Sequence, residues 1–254
     1  MTTECIHGLE VSRCDQCSPK PAPAASRSVP SAHTSRPRSQ AKRPGGSRAL
    51  SKPAVADQSA RRIFHVTHRR NLEGILRAGR ILADAAGAAP AVDISSSANR
   101  AARREARVGG RTVAEHVPFF LVPNASLWER IRDSEADPRL VETAHDQPAA
   151  DFVILVSTVG AAGELAVMAN GDAAEPLTRF STLAEAAGRP PRQLHEEDAA
   201  REAEFLVPLE FPMSAITLIG VANDKVRTDV RTLLTGRDVT AKVSVYPPWF
   251  QPTW

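Results

Sequence analysis

Beyond residue 60 the apolar positions fall into short runs with two different periods. RIFHVT (62–67) alternates and predicts a strand. Leu72, Ile75 and Leu76 then recur at helical spacing, which predicts a helix over 68–78. Gly79 follows as the left-handed residue that stops it. ISSSANRAARREA (94–106) reads as a second helix, polar and rich in arginine. VPFFLV (117–122) and DFVILVSTV (151–159) are uninterrupted apolar runs of strand length, the pattern of buried strands. GELAVMAN (163–170) predicts another strand, with a turn at 171–172. A further strand is expected at 204–207. ITLIGVA (216–222) and KVSVYP (242–247) read as strands on either side of a helix over 225–234. Many strands with few long helices predict an α+β domain with a mostly antiparallel sheet over 61–254.

Composition adds the parts that this pattern leaves out. The chain has 254 residues, 42% hydrophobic and 24% charged, which is globular composition. No run of about 18 apolar residues occurs, so no membrane-spanning helix is expected. The first residues lack the basic start and apolar stretch of a secretory signal. Three cysteines without a pairing pattern fit a reducing, cytoplasmic setting. Charge is split along the chain. Residues 1–62 hold 11 Lys/Arg against 4 Asp/Glu, a net +7; the remainder holds 21 against 25, a net −4. A basic arm of that kind either lies along phosphates or is simply a solvated tail.

The arm has two parts. In residues 1–18 the spacing Cys5-x-His7-x6-Cys14-x2-Cys17 gathers all three cysteines with a histidine. Four N/S ligands suit tetrahedral zinc, and so short a segment has no core of its own, so metal binding would fold it. The alternative is a terminus whose cysteines are incidental. Residues 19–60 are rich in Pro, Ser, Ala and Arg without apolar periodicity, and read as a disordered linker.

Three constellations in the main domain could carry chemistry. On a strand His65 and Thr67 share a face, opposite Phe64, Val66 and His68. They either line a ligand site or do structural work, Thr67 as a helix cap and His65 as a satisfied core histidine. Glu202 and Glu204, two apart at an expected strand start, can face one cleft. Two carboxylates there would suit a reaction that develops positive charge at an anomeric carbon; the alternative is a solvated acidic edge. Arg100 shares a helical face with Arg103 or Arg104, either for phosphate or carboxylate recognition or as a wet surface. No glycine-rich nucleotide loop and no nucleophile elbow is present.

Taken in order, FHVTHRRNLEGILRAG, ISSSANRAARREARV, EHVPFFLVP, DFVILVSTV, REAEFLVP and VYPPWF resemble the DarT family, toxin-type enzymes that ADP-ribosylate DNA bases using NAD. The resemblance runs from about residue 61 to 250. Its most specific parts are H-x-T-H-x-x-N-L-x-x-I-L-x-x-G at 65–79 and A-E-F-L-V at 203–207. It implies an ADP-ribosyltransferase fold, a split, mostly antiparallel sheet with flanking helices and NAD in the cleft. It assigns NAD contacts to His65, Thr67, Asn71, Gly79 and Arg103, and catalysis to Glu204 and Arg103. Glu202, Phe120, Asn124, Arg100 and Arg104 become acceptor-side candidates. The implied acceptor is a base of single-stranded DNA, with RNA or protein as alternatives. The implied partner is a macrodomain antitoxin. The family commonly shows V-P-F-Y-F-x-P-R-S-P-M, whereas here Phe120 replaces the tyrosine, Asn124 the arginine and Leu127 the methionine. Glu202 stands where relatives often carry glutamine. A competing class is a non-catalytic nucleic-acid binding protein.

Overall fold

The computed structural model describes residues 58–187 and 197–252. Cys5, His7, Cys14 and Cys17 lie outside the described residues, as does all but the last three residues of the expected linker. The described chain opens with β1 (Arg62–His68), a 3₁₀ turn (Arg69–Asn71), α1 (Leu72–Ala78) and β2 (Arg80–Leu82). Next come α2 (Ser97–Glu105), the short pair β3 (Arg107–Val108) and β4 (Arg111–Thr112), β5 (His116–Phe120) and α3 (Ser126–Arg132). They are followed by β6 (Phe152–Thr158), β7 (Val167–Ala169), β8 (Phe180–Thr182), α4 (Leu183–Ala187), α5 (Glu197–Glu202) and β9 (Glu204–Pro208). The last elements are β10 (Glu210–Pro212), β11 (Leu218–Val221), α6 (Asp224–Leu234) and β12 (Lys242–Val245).

The main sheet has the order β12-β11-β6-β1-β5-β9-β7-β8. Among the described residues only β11 and β12 run parallel, joined by α6 as the crossover that parallel strands require. β6 is apolar without alternation because it is covered on both faces. Val153 and Leu155 enter one core with Phe119, Phe205 and Phe211. Phe152, Ile154 and Val156 enter another with Trp128 and Phe250. Phe64 and Val66 join this second core, as the alternation of β1 predicts. The C-terminal segment is tied down where the Trp128 Nε1–H donates to the Trp249 carbonyl at 2.7 Å. Gly220 is the residue that lets Trp249 lie flat on β11. A Cβ there would sit 2.6 Å from the indole ring.

β1 is paired with β6 along its whole length, from Arg62↔Thr158 to His68↔Phe152. Its other edge meets β5 at one register pair, Phe64↔Phe120. Beyond that pair the sheet opens into two halves, the split expected above. Pro118, in the middle of β5, has no N–H to lend to a ladder.

Several expectations shift. α1 is preceded by a 3₁₀ turn capped by His68, whose ring accepts from the Arg70 N–H at 3.2 Å; Thr67 is not the cap. Gly79 does close α1, with φ of 69°. The second helix starts at Ser97, because the Ser96 hydroxyl caps it through the Asn99 N–H. Glu202 is not at a strand start. It ends α5, so the two-residue spacing does not put it on the same strand face as Glu204.

Candidate active site

A cleft of about 470 Å³ opens at the split. That lies within the range for small-molecule sites, about 300–1,000 Å³. Four consecutive residues of β1, His65, Val66, Thr67 and His68, line it. Successive residues of a strand face opposite ways, so this lining requires that the free edge of β1 itself border the cleft. On β5 the alternate residues His116, Pro118 and Phe120 line it, while Val117 and Phe119 point into the core. Strand alternation puts His65 and Glu204 on opposite faces of the sheet. The cleft reaches both because it passes through the opening between β1 and β5.

The Nδ1 of His65 lies 2.8 Å from the Pro118 carbonyl. A carbonyl only accepts, so Nδ1 carries the hydrogen. Burial lowers the pKa of this ring, against a smaller opposing effect of that bond. A neutral ring with its hydrogen on Nδ1 leaves Nε2 as an acceptor. His116 is arranged alike, with Nδ1 2.9 Å from the Thr112 carbonyl and its pKa lowered by burial. The Thr67 hydroxyl accepts from Asn71 Nδ2 at 3.1 Å and keeps its own hydrogen to donate. Asn71 also grips Val92 at both ends of its amide. Its Nδ2 donates to Val92 O at 2.9 Å, and Val92 N donates to its Oδ1 at 2.8 Å. Both amide hydrogens of Asn71 are thereby engaged, one on Thr67 of β1 and one on the loop that walls the cleft.

Glu204 starts β9, in register between Phe120 and Ala169, and is 7% exposed. The Arg103 guanidinium grips it in bidentate fashion, Nη1 to Oε1 at 3.1 Å and Nη2 to Oε2 at 3.0 Å. The Ala173 N–H donates to Oε1 at 3.2 Å. A carboxylate has about four acceptor sites, so three donors leave room for one more. Burial works against the charge of Arg103. The negative charge and hydrogen bonds of Glu204 outweigh it, helped by Asp172 and Asp84, and hold the guanidinium above its ordinary pKa. Of the other two arginines of α2, Arg104 turns outward to Asp84 and Arg100 holds Asp93 at the cleft wall.

The cleft thus gathers His65, Thr67, Asn71, Arg100, Arg103, Phe120 and Glu204. Gly79, Arg104, Asn124 and Glu202 are not in its lining. Gly79 shapes the end of α1, and Glu202 lies 3.8 Å from Arg139 with its side chain half exposed. Sequence reasoning missed Arg139, Asn99 and His116, which also line the cleft. Asn99 carries a signal that could have found it, since it lies one helical turn before Arg103. Among the described residues no group of three or more His, Cys, Asp or Glu is arranged to hold a metal ion. No helix among them is long and apolar enough to cross a membrane.

Residues 64–251 match the family described as "ssDNA thymidine ADP-ribosyltransferase, DarT". The chain belongs to the DarT family. It is similar to a Mycobacterium tuberculosis protein named DNA ADP-ribosyl transferase, 25% identical over 191 residues that cover 68% of this chain and 81% of the relative. The structure of Thermus sp. 2.9 DarT in complex with ADP-ribosylated ssDNA superposes with a TM-score of 0.60 at 23% identity, covering 75% of this chain and 96% of that one. The complex of the same Thermus protein with NAD+ gives a TM-score of 0.59 at 22% identity, covering 75% and 97%. At these identities the two structures establish a shared fold. The DarT match begins one residue before His65 and excludes both the cysteine cluster and the linker.

Proposed function

We propose that this chain is an NAD-dependent mono-ADP-ribosyltransferase that modifies a thymine base in single-stranded DNA. The observation that carries the proposal is the Arg103–Glu204 ion pair, set in one cleft with His65 and Thr67 in a chain of the DarT family. NAD enters as substrate. The unpaired edge of β1 presents backbone amides to its polar groups, with the bare Nε2 of His65 and the hydroxyl of Thr67 beside them. Asn71 supports this edge by fixing the loop at Val92. The acceptor site left on Glu204 suits the 2′-hydroxyl of the nicotinamide ribose. As the bond from C1′ to the nicotinamide nitrogen breaks, its electron pair leaves with the ring, and positive charge grows at C1′. The buried carboxylate of Glu204 stabilises that charge, and Arg103 holds the carboxylate in place. A ring nitrogen of the acceptor base then bonds to C1′ and gives up its proton to solvent water.

A base stacked inside a duplex cannot reach C1′ in this cleft, so the acceptor is unpaired. Phe120 offers the base an apolar face. Arg100 is the acceptor-side arginine at the wall, while Glu202, Arg104 and Asn124 are candidates outside it. Modified bases obstruct copying, which fits a toxin opposed by a macrodomain antitoxin. The spacing of Cys5, His7, Cys14 and Cys17 we read as a zinc module that precedes the enzyme domain in sequence; the zinc content of the purified full chain decides that. Incubation of the full chain with labelled NAD and synthetic oligomers tests the main reading. Label is expected on thymine-containing single-stranded DNA and not on thymine-free strands. Label on RNA or protein alone, or on nothing, removes it.

A further inference from the structure

Arg139 belongs to no helix or strand, yet it is one of the firmly held side chains of the cleft. Its segment is bonded to the start of α2. Ser96 N donates to Arg139 O at 2.9 Å, and Val141 N donates to Ile94 O at 2.9 Å. Ser96 also caps α2, so Arg139 and Arg103 share one backbone frame. Asp137 takes one edge of the guanidinium, Nε at 2.9 Å and Nη2 at 2.8 Å. This hydrogen bonding raises the pKa of Arg139 and lowers that of Asp137, so the pair stays charged. The remaining nitrogen, Nη1, donates one hydrogen to Asp172 Oδ2 at 3.5 Å and lies 3.8 Å from Glu202 Oε2. Both are long against the ~2.7–2.9 Å of a charge-assisted bond. Asp172 immediately precedes Ala173, whose N–H holds Glu204. Nη1 therefore stands near the reactive carboxylate with hydrogen-bonding capacity to spare, on a side chain 23% exposed.

Local charge decides what it can take. Asp137, Asp172 and Glu202 lie 2.8, 3.5 and 3.8 Å from the Arg139 guanidinium, nearer than the further cations that act on the first two, Arg130 and Arg103, so a phosphate brought to Nη1 would meet carboxylates at close range. A neutral carbonyl oxygen, without net charge, meets much less. We infer that Arg139 Nη1 donates a hydrogen bond to a carbonyl oxygen of the acceptor base, and so selects a base that carries one. The inference rests on the transferase reading above. Thymine fits, because two carbonyls flank its hydrogen-bearing ring nitrogen. Adenine has none. Asp137 is the positioning residue that fixes the donor edge.

The test uses the full chain, NAD and short single strands with one thymidine, in which O2 or O4 is replaced by the weaker acceptor sulfur. The wild-type chain is expected to lose about tenfold in kcat/KM on one of the two thio strands, the effect of one hydrogen bond. Arg139→Gln is expected to lose about tenfold on the oxygen strand and to show no further loss on that thio strand. Arg139→Lys should fall between the two. If Arg139→Gln has no cooperative thermal transition, Arg139→Lys carries the same comparison. A thio penalty that persists in the variant overturns the inference, as does a wild-type chain indifferent to both sulfurs. A loss confined to the KM for NAD also overturns it. So does a salt slope shallower by about 0.7, which would assign Arg139 to a phosphate. A wild-type chain that modifies no strand sinks the transferase reading as well; any of the other failures sinks only this one.

Discussion

In the half-sheet β12-β11-β6-β1, β6 is apolar on both faces and is paired along its length with β1. In the half-sheet β5-β9-β7-β8, one face turns His116, Pro118, Phe120 and Glu204 toward the cleft, and its central strand begins with a buried charge. Away from the cleft edge of β1, where His65 and Thr67 stand, the first half is a packing device whose side chains are interchangeable in kind. The second half carries groups that pack poorly and are kept by specific partners: Arg103 and Ala173 for Glu204, Thr112 for His116. The contrast teaches that the packed strands and the proposed reactive carboxylate lie on different sides of the opening between β1 and β5, with the edge of β1 bordering it. Substitutions on the two sides should fail in different ways.

The largest expected effect lies on the reactive side. Glu204→Gln keeps the shape of the side chain and an acceptor for Ala173 N–H, but removes the charge. Transfer to DNA should fall by about a thousandfold while the protein stays folded. Near wild-type transfer by a folded Glu204→Gln would break the contrast at its centre. Next, on the packing side, Gly220→Ala puts a Cβ 2.6 Å from Trp249, whose ring meets Phe64 edge-on. A cost of about 1–3 kcal/mol is expected in thermal or denaturant unfolding, with kcat per folded molecule retained. A loss of kcat at full stability would show that the two halves are not separable. The smallest effect concerns pH. Burial lowers the pKa of His65, His68 and His116 in the folded chain. The unfolded chain therefore binds protons that the folded one resists. Stability is fully present above the unfolded value of about 6.5 and declines as pH falls below it toward the folded values. The slope of Tm between about pH 6.5 and 5 should be shallower in His116→Gln; an identical slope would remove His116 from the account.

Much of the packing half was legible because apolar period and strand length are local properties. β1, β6, β11, α6 and β12 all fall where the runs indicate. The partners of the cleft were legible unevenly. His65, Thr67 and Glu204 sit in short, dense motifs, and the cleft brings them together. Arg103 had two neighbouring competitors, and only its ion pair with Glu204 distinguishes it from Arg100 and Arg104, which pair with Asp93 and Asp84. Glu202 was misread because a two-residue spacing means a shared face only in extended chain, and helix α5 runs through it. Arg139 left no trace, since its place depends on a backbone bridge to residues 94–96, far away in sequence. The opening beside β1 was equally silent in the chain's periodicity. It depends on which strand edges fail to meet.

That single register pair between β1 and β5, Phe64 with Phe120, also bears on what substrate binding would mean for the protein. In the proposed binding mode, a dinucleotide lying along the open margin of β1 would take over hydrogen bonds that a neighbouring strand would otherwise supply. The small molecule would then work as a stitch across a seam, so occupancy should be readable in the backbone amides of Val66 and His68, which face away from β6, by their slowed exchange with deuterium, before any bond is broken.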